Sequence, residues 1–215
     1  MSPTGRLLFA APMRIEASLI ASGARQAHVH RTGIGPRHAK IAVPALQALP
    51  GDALVVLGFC GALGRGSLQP GEIVVAERVY AAADEDHEQQ RRDCAGASQL
   101  AGALAARGLP ARAGEIVCVG RLALGERREQ LFRAGAVAVE MESIWLAPAA
   151  ARRPFAVVRV VLDTPERELF RPRTAPLLWQ AGAVLRRTAK ALQDLGADGT
   201  LNTLLRGGDV EGQEP

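Results

Sequence analysis

Phe155-Ala156-Val157-Val158-Arg159-Val160-Val161-Leu162 is the most β-branched run in the chain, and it ends on Asp163. Branched side chains pack well on a pleated backbone, so the run reads as a strand. It is apolar at both faces and therefore needs cover on both. Arg159 is its exception, and a buried charge without a partner is costly, so that residue requires one. Outward from this stretch, Leu7–Ala11 and residues 53–57 repeat the continuous apolar pattern, and residues 72–80 form a longer strand with a polar end. Shorter strands fall at 27–32, 116–119 and 137–139. Helical patterns fill the intervals at 13–22, 36–49, 98–107 and Glu126–Arg133, with another helix starting near Met141. Residues 83–97 read as a charged loop. Residues 177–195 carry an apolar stripe at helical spacing, so this amphipathic helix, with Trp179, is expected on the sheet. Apolar strands separated by helices predict an α/β fold: a single domain with a mixed, largely parallel central sheet flanked by helices. The domain is expected at 1–196 and a flexible C-terminal tail at 197–215, where glycines gather before Glu-Gly-Gln-Glu-Pro. Ligands in such sheets bind beyond the carboxyl ends of the strands, so the strand exits are where chemistry belongs.

A length of 215 residues fits one domain. Hydrophobic residues at 48% and charged residues at 22% exclude disorder along the whole chain. Twenty-six basic residues against 22 acidic ones leave a net charge of +4, nearly all of it arginine. The arginines are scattered rather than gathered into a stripe, which points away from nucleic acid. Cys60, Cys94 and Cys118 are too few and too widely spaced for a disulfide framework or a zinc knuckle. His28 and His30 share a strand face without a third ligand at useful spacing, so no metal site is expected. The N-terminal apolar run, residues 7–13, is broken by Pro12 and is too short for a signal peptide or a membrane span. A cytoplasmic, soluble chain without stable membrane insertion is the expectation.

Five short motifs lie at the strand exits. Gly33-Ile34-Gly35 imitates the opening of a dinucleotide fingerprint, but the third glycine is replaced by His38 and Asp52 precedes its strand, so NAD binding does not follow. Gly58-Phe59-Cys60-Gly61-Ala62-Leu63-Gly64 reads as a glycine-rich loop leaving a buried strand, with backbone N–H groups open to a ribose, base or anion. Val139-Glu140-Met141-Glu142-Ser143 sets two carboxylates at a strand-to-helix junction. Such a carboxylate caps a helix or accepts two hydrogen bonds from vicinal hydroxyls. Asp163 ends the β-branched strand, as a turn residue or as a proton donor whose half-apolar setting raises its pKa. Glu16 and Arg14 follow the first strand at the same presumed edge.

In this order, Met13-x-x-Glu16, Gly33-Ile34-Gly35, Gly58-x-Cys60-Gly61-Ala62-Leu63 with Pro70-Gly71-Glu72-Ile73-Val74-Val75, Val139-Glu140-Met141-Glu142 and Arg159-x-x-x-Asp163 resemble the purine nucleoside phosphorylase and nucleosidase superfamily. Within it the chain looks most similar to methylthioadenosine/adenosylhomocysteine nucleosidases and hopanoid-associated phosphorylases. The resemblance implies cleavage of the N-glycosidic bond of a purine nucleoside, an adenine nucleoside with a modified 5′ end, by phosphorolysis or hydrolysis. A degenerate member that binds a nucleoside without turning it over is the alternative. On that likeness Asp163 would protonate or hydrogen-bond N7 of the base, and Glu142 would hold the ribose 2′ and 3′ hydroxyls with Met141 against the sugar. Glu16, helped by Arg159, would position the nucleophile. Gly61 and Phe59 would contact substrate, and Leu122 stands where the nucleosidases place an aromatic ring on the purine. Arg14 would be the match to a phosphate-binding arginine. Two departures stand out. Phe59 replaces a serine that helps hold the nucleophile, and Val56 replaces a second phosphate arginine. No cofactor is implied beyond phosphate as a possible cosubstrate. A homo-oligomer, a dimer, is the assembly the resemblance implies. One group must carry a proton while the other carboxylates stay ionised, so their surroundings must differ.

Overall fold

The computed structural model describes residues 6–83, 90–168 and 175–206. Its elements run β1 (Leu7–Ala11), α1 (Arg14–Gly23), β2 (His28–Arg31), α2 (Pro36–Ala48), β3 (Ala53–Ala62), β4 (Ile73–Ala81), β5 (Arg91–Asp93), α3 (Ala97–Ala105), β6 (Ala111–Cys118), α4 (Glu126–Arg133), β7 (Ala138–Glu140), α5 (Ser143–Leu146), a 3-10 turn (Ala147–Ala150), β8 (Phe155–Asp163), α6 (Ala175–Ala197) and α7 (Thr200–Leu205). The sheet is mixed and largely parallel. The pairings β1·β2, β1·β3, β3·β8, β4·β6 and β6·β7 are parallel, whereas β3·β7, β4·β5 and β4·β8 are antiparallel. Following these pairings from β3 through β8, β4, β6 and β7 returns to β3, so five strands close into a ring.

The central strand β8 explains the layering. Ala156, Val158, Val160 and Leu162 pack into a core shared with Ile20 of α1, Leu104 of α3, Leu185 of α6 and Leu201 of α7. Phe155, Val157 and Val161 face the opposite way, toward Ala39 and Leu46 of α2 and Trp145 and Leu146 of α5. Side chains alternate along a strand, so Arg159 and Asp163 belong to the face of Val157 and Val161. Each fully buried valine contributes about 1.5–3 kcal/mol. That burial fixes the register, because a slip of one residue would turn Arg159 and Asp163 into the other core.

Four expectations change. The glycine-rich segment read as a loop is largely strand, since β3 continues to Ala62 and pairs there with β8 and β7. Within the tail expected at 197–215, residues 200–205 form α7, which buries Leu201 and Leu205 against the core, and residues 207–215 lie outside the described residues. Trp179 does not join the packing of α6, being 83% exposed. The expected charged loop at 83–97 contains β5 and the start of α3, with residues 84–89 outside the described ones. No helix among the described residues is long and apolar enough to cross a membrane.

Candidate active site

Glu16 lies in the first turn of α1, where a carboxylate meets backbone N–H groups left unpaired by the helix. Met13 N–H donates to Oε2 at 2.7 Å. Phe59 N–H donates to Oε1, also at 2.7 Å, which ties α1 to the middle of β3. The donor at position 59 is backbone, so the side chain there is free to be phenylalanine. Glu16 is buried, and burial pushes its pKa up against the nearby Arg159 and the two backbone donors.

Gly58 pairs in register with Arg159. A Cβ at Gly58 would stand 2.6 Å from both Arg159 Nη1 and Glu16 Oε1. Glycine is therefore required there to let the guanidinium and the carboxylate converge across β3.

Arg159 Nη2 donates to Glu140 and, at 2.9 Å, to Ser143 Oγ, and lies 3.7 Å from Glu142 Oε2. Glu140 is held further by the Glu142 N–H at 3.0 Å, the Ser143 N–H at 2.9 Å and the Cys118 thiol. It is the partner that a buried arginine in β8 demanded. Burial opposes the charge of Arg159, but Glu140, Glu142 and Glu16 outweigh it and hold its pKa above the ordinary value.

Glu142 accepts a hydrogen bond from Gly35 N–H at 2.8 Å. Gly33 and Gly35 both have φ of +86°, the left-handed region that favours glycine, and their turn delivers this N–H to the carboxylate. The imitation of a dinucleotide fingerprint is thus a turn that anchors a carboxylate. Burial, then the charge of Glu140, push the pKa of Glu142 up to about 8, with Arg159 and Gly35 N–H opposing.

Asp163 stands at the exit of β8. A shift of register between Cys60 and Gly61 sets it opposite Gly61. Its Oδ2 meets Arg128 Nη2, and both side chains are at least 98% buried. Arg128 also donates from Nε to Ala123 O at 2.9 Å and from Nη1 to Ala62 O at 3.1 Å. A Cβ at Gly61 would lie 2.9 Å from Asp163 Oδ1 and 3.0 Å from Arg128 Nη2, so glycine again gives the room in which two charges meet.

These groups surround one cavity of about 370 Å³, within the range of small-ligand pockets. Glu16, Glu142 and Asp163 border it, as do Phe59, Gly61, Leu122 and Met141. Leu122 is 45% exposed at its rim. Arg159 stands behind the wall and reaches the cavity through the carboxylates it holds. Arg14 is exposed on α1 and is not brought to the cavity. Arg128 and Glu140 were missed as site residues. The available signal for Arg128 was its position three residues before Leu131, on the one face of α4 that is buried. His28 and His30 are half-buried on β2, and among the described residues no group of three or more His, Cys, Asp or Glu is arranged to hold a metal ion.

Several solved structures share this fold. A 5′-methylthioadenosine/S-adenosylhomocysteine nucleosidase from Neisseria meningitidis, in complex with methylthio-immucillin-A, has a TM-score of 0.72 at 20% identity, over 89% of this chain and 100% of that one. A 5′-methylthioadenosine/S-adenosylhomocysteine nucleosidase from Helicobacter pylori, with butyl-thio-DADMe-Immucillin-A, gives 0.71 at 14% identity, over 90% and 98%. The futalosine hydrolase of Helicobacter pylori gives 0.67 at 15%, over 92% and 97%. No curated protein sequence matches the chain. The family model described as the phosphorylase superfamily matches residues 11–198, and the chain belongs to that superfamily.

Proposed function

We propose that this chain cleaves the N-glycosidic bond of a purine nucleoside, with adenine as the base and a modified 5′ end on the sugar. The observation that carries the reading is the convergence of Glu16, Glu142 and Asp163, from α1, the β7–α5 junction and β8, on a single cavity. Cleavage of C1′–N9 builds positive charge on the sugar and negative charge on the base. Carboxylates beside the sugar stabilise the first, and a proton delivered to the base relieves the second. In this reading Glu142 accepts hydrogen bonds from the 2′ and 3′ hydroxyls while Met141 packs on the sugar. Asp163 hydrogen-bonds N7 and passes a proton there as the bond breaks. Glu16, fixed by two backbone donors, orients the nucleophile, and Arg159 holds the carboxylate cluster together.

Water suits the site better than phosphate. Among the described residues the arginine bordering the cavity is Arg128, which is committed to Asp163 and two carbonyls, whereas Arg14 is exposed away from it. The test is release of adenine from methylthioadenosine, adenosylhomocysteine and adenosylhopane, each with and without phosphate. The expected result is adenine release from at least one of them without a phosphate requirement. Phosphate-dependent release would replace water with phosphate as the nucleophile, and no base from any nucleoside would overturn the reading.

A further inference from the structure

Resting on the reading that a purine base sits against Asp163, we propose that Arg128 is a positioning residue that keeps Asp163 ionised in the empty site, so that the base enters together with one proton from solvent.

The geometry of Arg128 argues for a fixed cation. Its Nε and Nη1 are held by the carbonyls of Ala123 and Ala62, which come from the approach to α4 and from the end of β3, and its Nη2 is left aimed at Asp163 Oδ2. A guanidinium in a protein stays charged, and one buried this deeply needs an ionised partner. Among the described residues, other charged or titratable groups also lie near Asp163. The Cys60 thiol on β3 feels Arg159, Asp163, Glu140 and Arg128, and burial keeps it protonated. Arg159, on the same strand as Asp163, is engaged with Glu140. Glu16 and Glu142 border the same cavity.

A carboxylate is acceptor-only, and so is N7 of a neutral purine whose N9 carries a substituent. Two acceptors brought together in a dry site repel, so a base that binds Asp163 through N7 must bring a proton between them. The accounting closes over a hydrolytic cycle. Asp163 takes one proton from solvent when the base binds. When C1′–N9 breaks, the bonding pair stays with the base and this proton passes to N7, returning Asp163 to the carboxylate paired with Arg128. Water attacking C1′ loses one proton, which restores the one taken up.

The experiment is calorimetry of 9-methyladenine binding to the full chain near neutral pH, in two buffers of different ionisation enthalpy. Its blocked N9 keeps N7 an acceptor, as in a nucleoside. It carries no ribose to engage Glu142, and Glu142→Gln controls for that group. The parent protein should take up about one proton per base bound. Arg128→Met, whose buried carboxyl has lost its counter-charge and is protonated beforehand, should take up none. Arg128→Lys, which keeps the cation, should recover uptake, and Asp163→Asn should abolish it. Should Arg128→Met not fold, the parent, Arg128→Lys and Asp163→Asn carry the test alone. Binding of 9-methyladenine without proton uptake by the parent, or equal uptake by Arg128→Met, overturns the inference and leaves the proposed reaction standing. Proton uptake by the parent without base release from any nucleoside overturns the reaction and supports the inference. A parent that does not bind 9-methyladenine overturns both.

Discussion

The two ends of the cavity are built on opposite charge balances. At the end proposed for the sugar one guanidinium, Arg159, acts on three carboxylates, Glu16, Glu140 and Glu142, and the pKa values of Glu16 and Glu142 are pushed up. At the end proposed for the base, Arg128 pairs with Asp163 among the described residues. The same residue types thus do different work. An excess of buried acid raises the pKa values of its members, whereas in the proposed reaction the Arg128–Asp163 pair keeps a carboxylate able to accept a proton and release it. Each end also uses a glycine in β3, Gly58 or Gly61, where a side chain would occupy the meeting point of the charges.

The largest effects should come from breaking one end at a time. Arg159→Met leaves Glu140 buried without its cation, and removal of one member of a buried pair costs about 3–5 kcal/mol. Urea unfolding of the free protein should show a loss of that order, and a loss below about 1 kcal/mol would contradict the role of Arg159 as the hub. At the other end, Asp163→Asn should lower kcat per folded molecule by about 10²–10⁴, since the amide retains the volume and loses the proton, and it should also lower stability because Arg128 loses its counter-charge. Turnover at the parent rate would remove Asp163 from the chemistry.

A smaller effect distinguishes the ends by pH. Glu142 binds its proton more tightly in the folded protein than in the unfolded chain. Between its ordinary value and about 8 the folded state therefore holds more protons, and stability must fall as pH rises through that window. Denaturation curves across this range should slope downward, and Glu142→Gln should flatten part of the slope. An unchanged slope in that variant would show that Glu142 does not hold the proton. Gly58→Ala places a Cβ 2.6 Å from Arg159 Nη1 and Glu16 Oε1, so it should cost about 1–3 kcal/mol of stability and disturb the sugar end. The smallest effect is expected from Phe59→Leu. Glu16 is anchored by the backbone N–H at that position, so kcat should stay within about threefold of the parent, a difference under 1 kcal/mol.

The contrast also explains what the sequence disclosed. Arg159 was legible as a charge inside an apolar strand that needs a partner, and Asp163, Glu16 and Glu142 were legible as acids at strand exits. The continuation of β3 was hidden because glycine is read as punctuation, whereas Gly58 and Gly61 stay in the strand and give room to charges arriving from elsewhere. Arg128 was hidden within Glu126-Arg127-Arg128-Glu129, a run that reads as a solvated helix face. Only the packing of α4 shows which of its charges turns inward. Glu140 and Glu142 look equivalent in sequence. Both border the cavity, but the Cys118 thiol, two backbone N–H groups and Arg159 gather on the first, whereas the second accepts one hydrogen bond, from Gly35 N–H, among those described.

The central claim is that three acids distant in the chain grip one nucleoside. A crystal structure of the Asp163→Asn variant soaked with methylthioadenosine tests it most directly. The account predicts the purine N7 at the amide that replaces the Asp163 carboxyl, the 2′ and 3′ hydroxyls within hydrogen-bond distance of Glu142, at about 2.5–3.0 Å, and the face of C1′ away from the base turned toward Glu16. A nucleoside seated in this cavity with its ribose turned away from Glu142 and Glu16, or bound elsewhere on the protein, would contradict it.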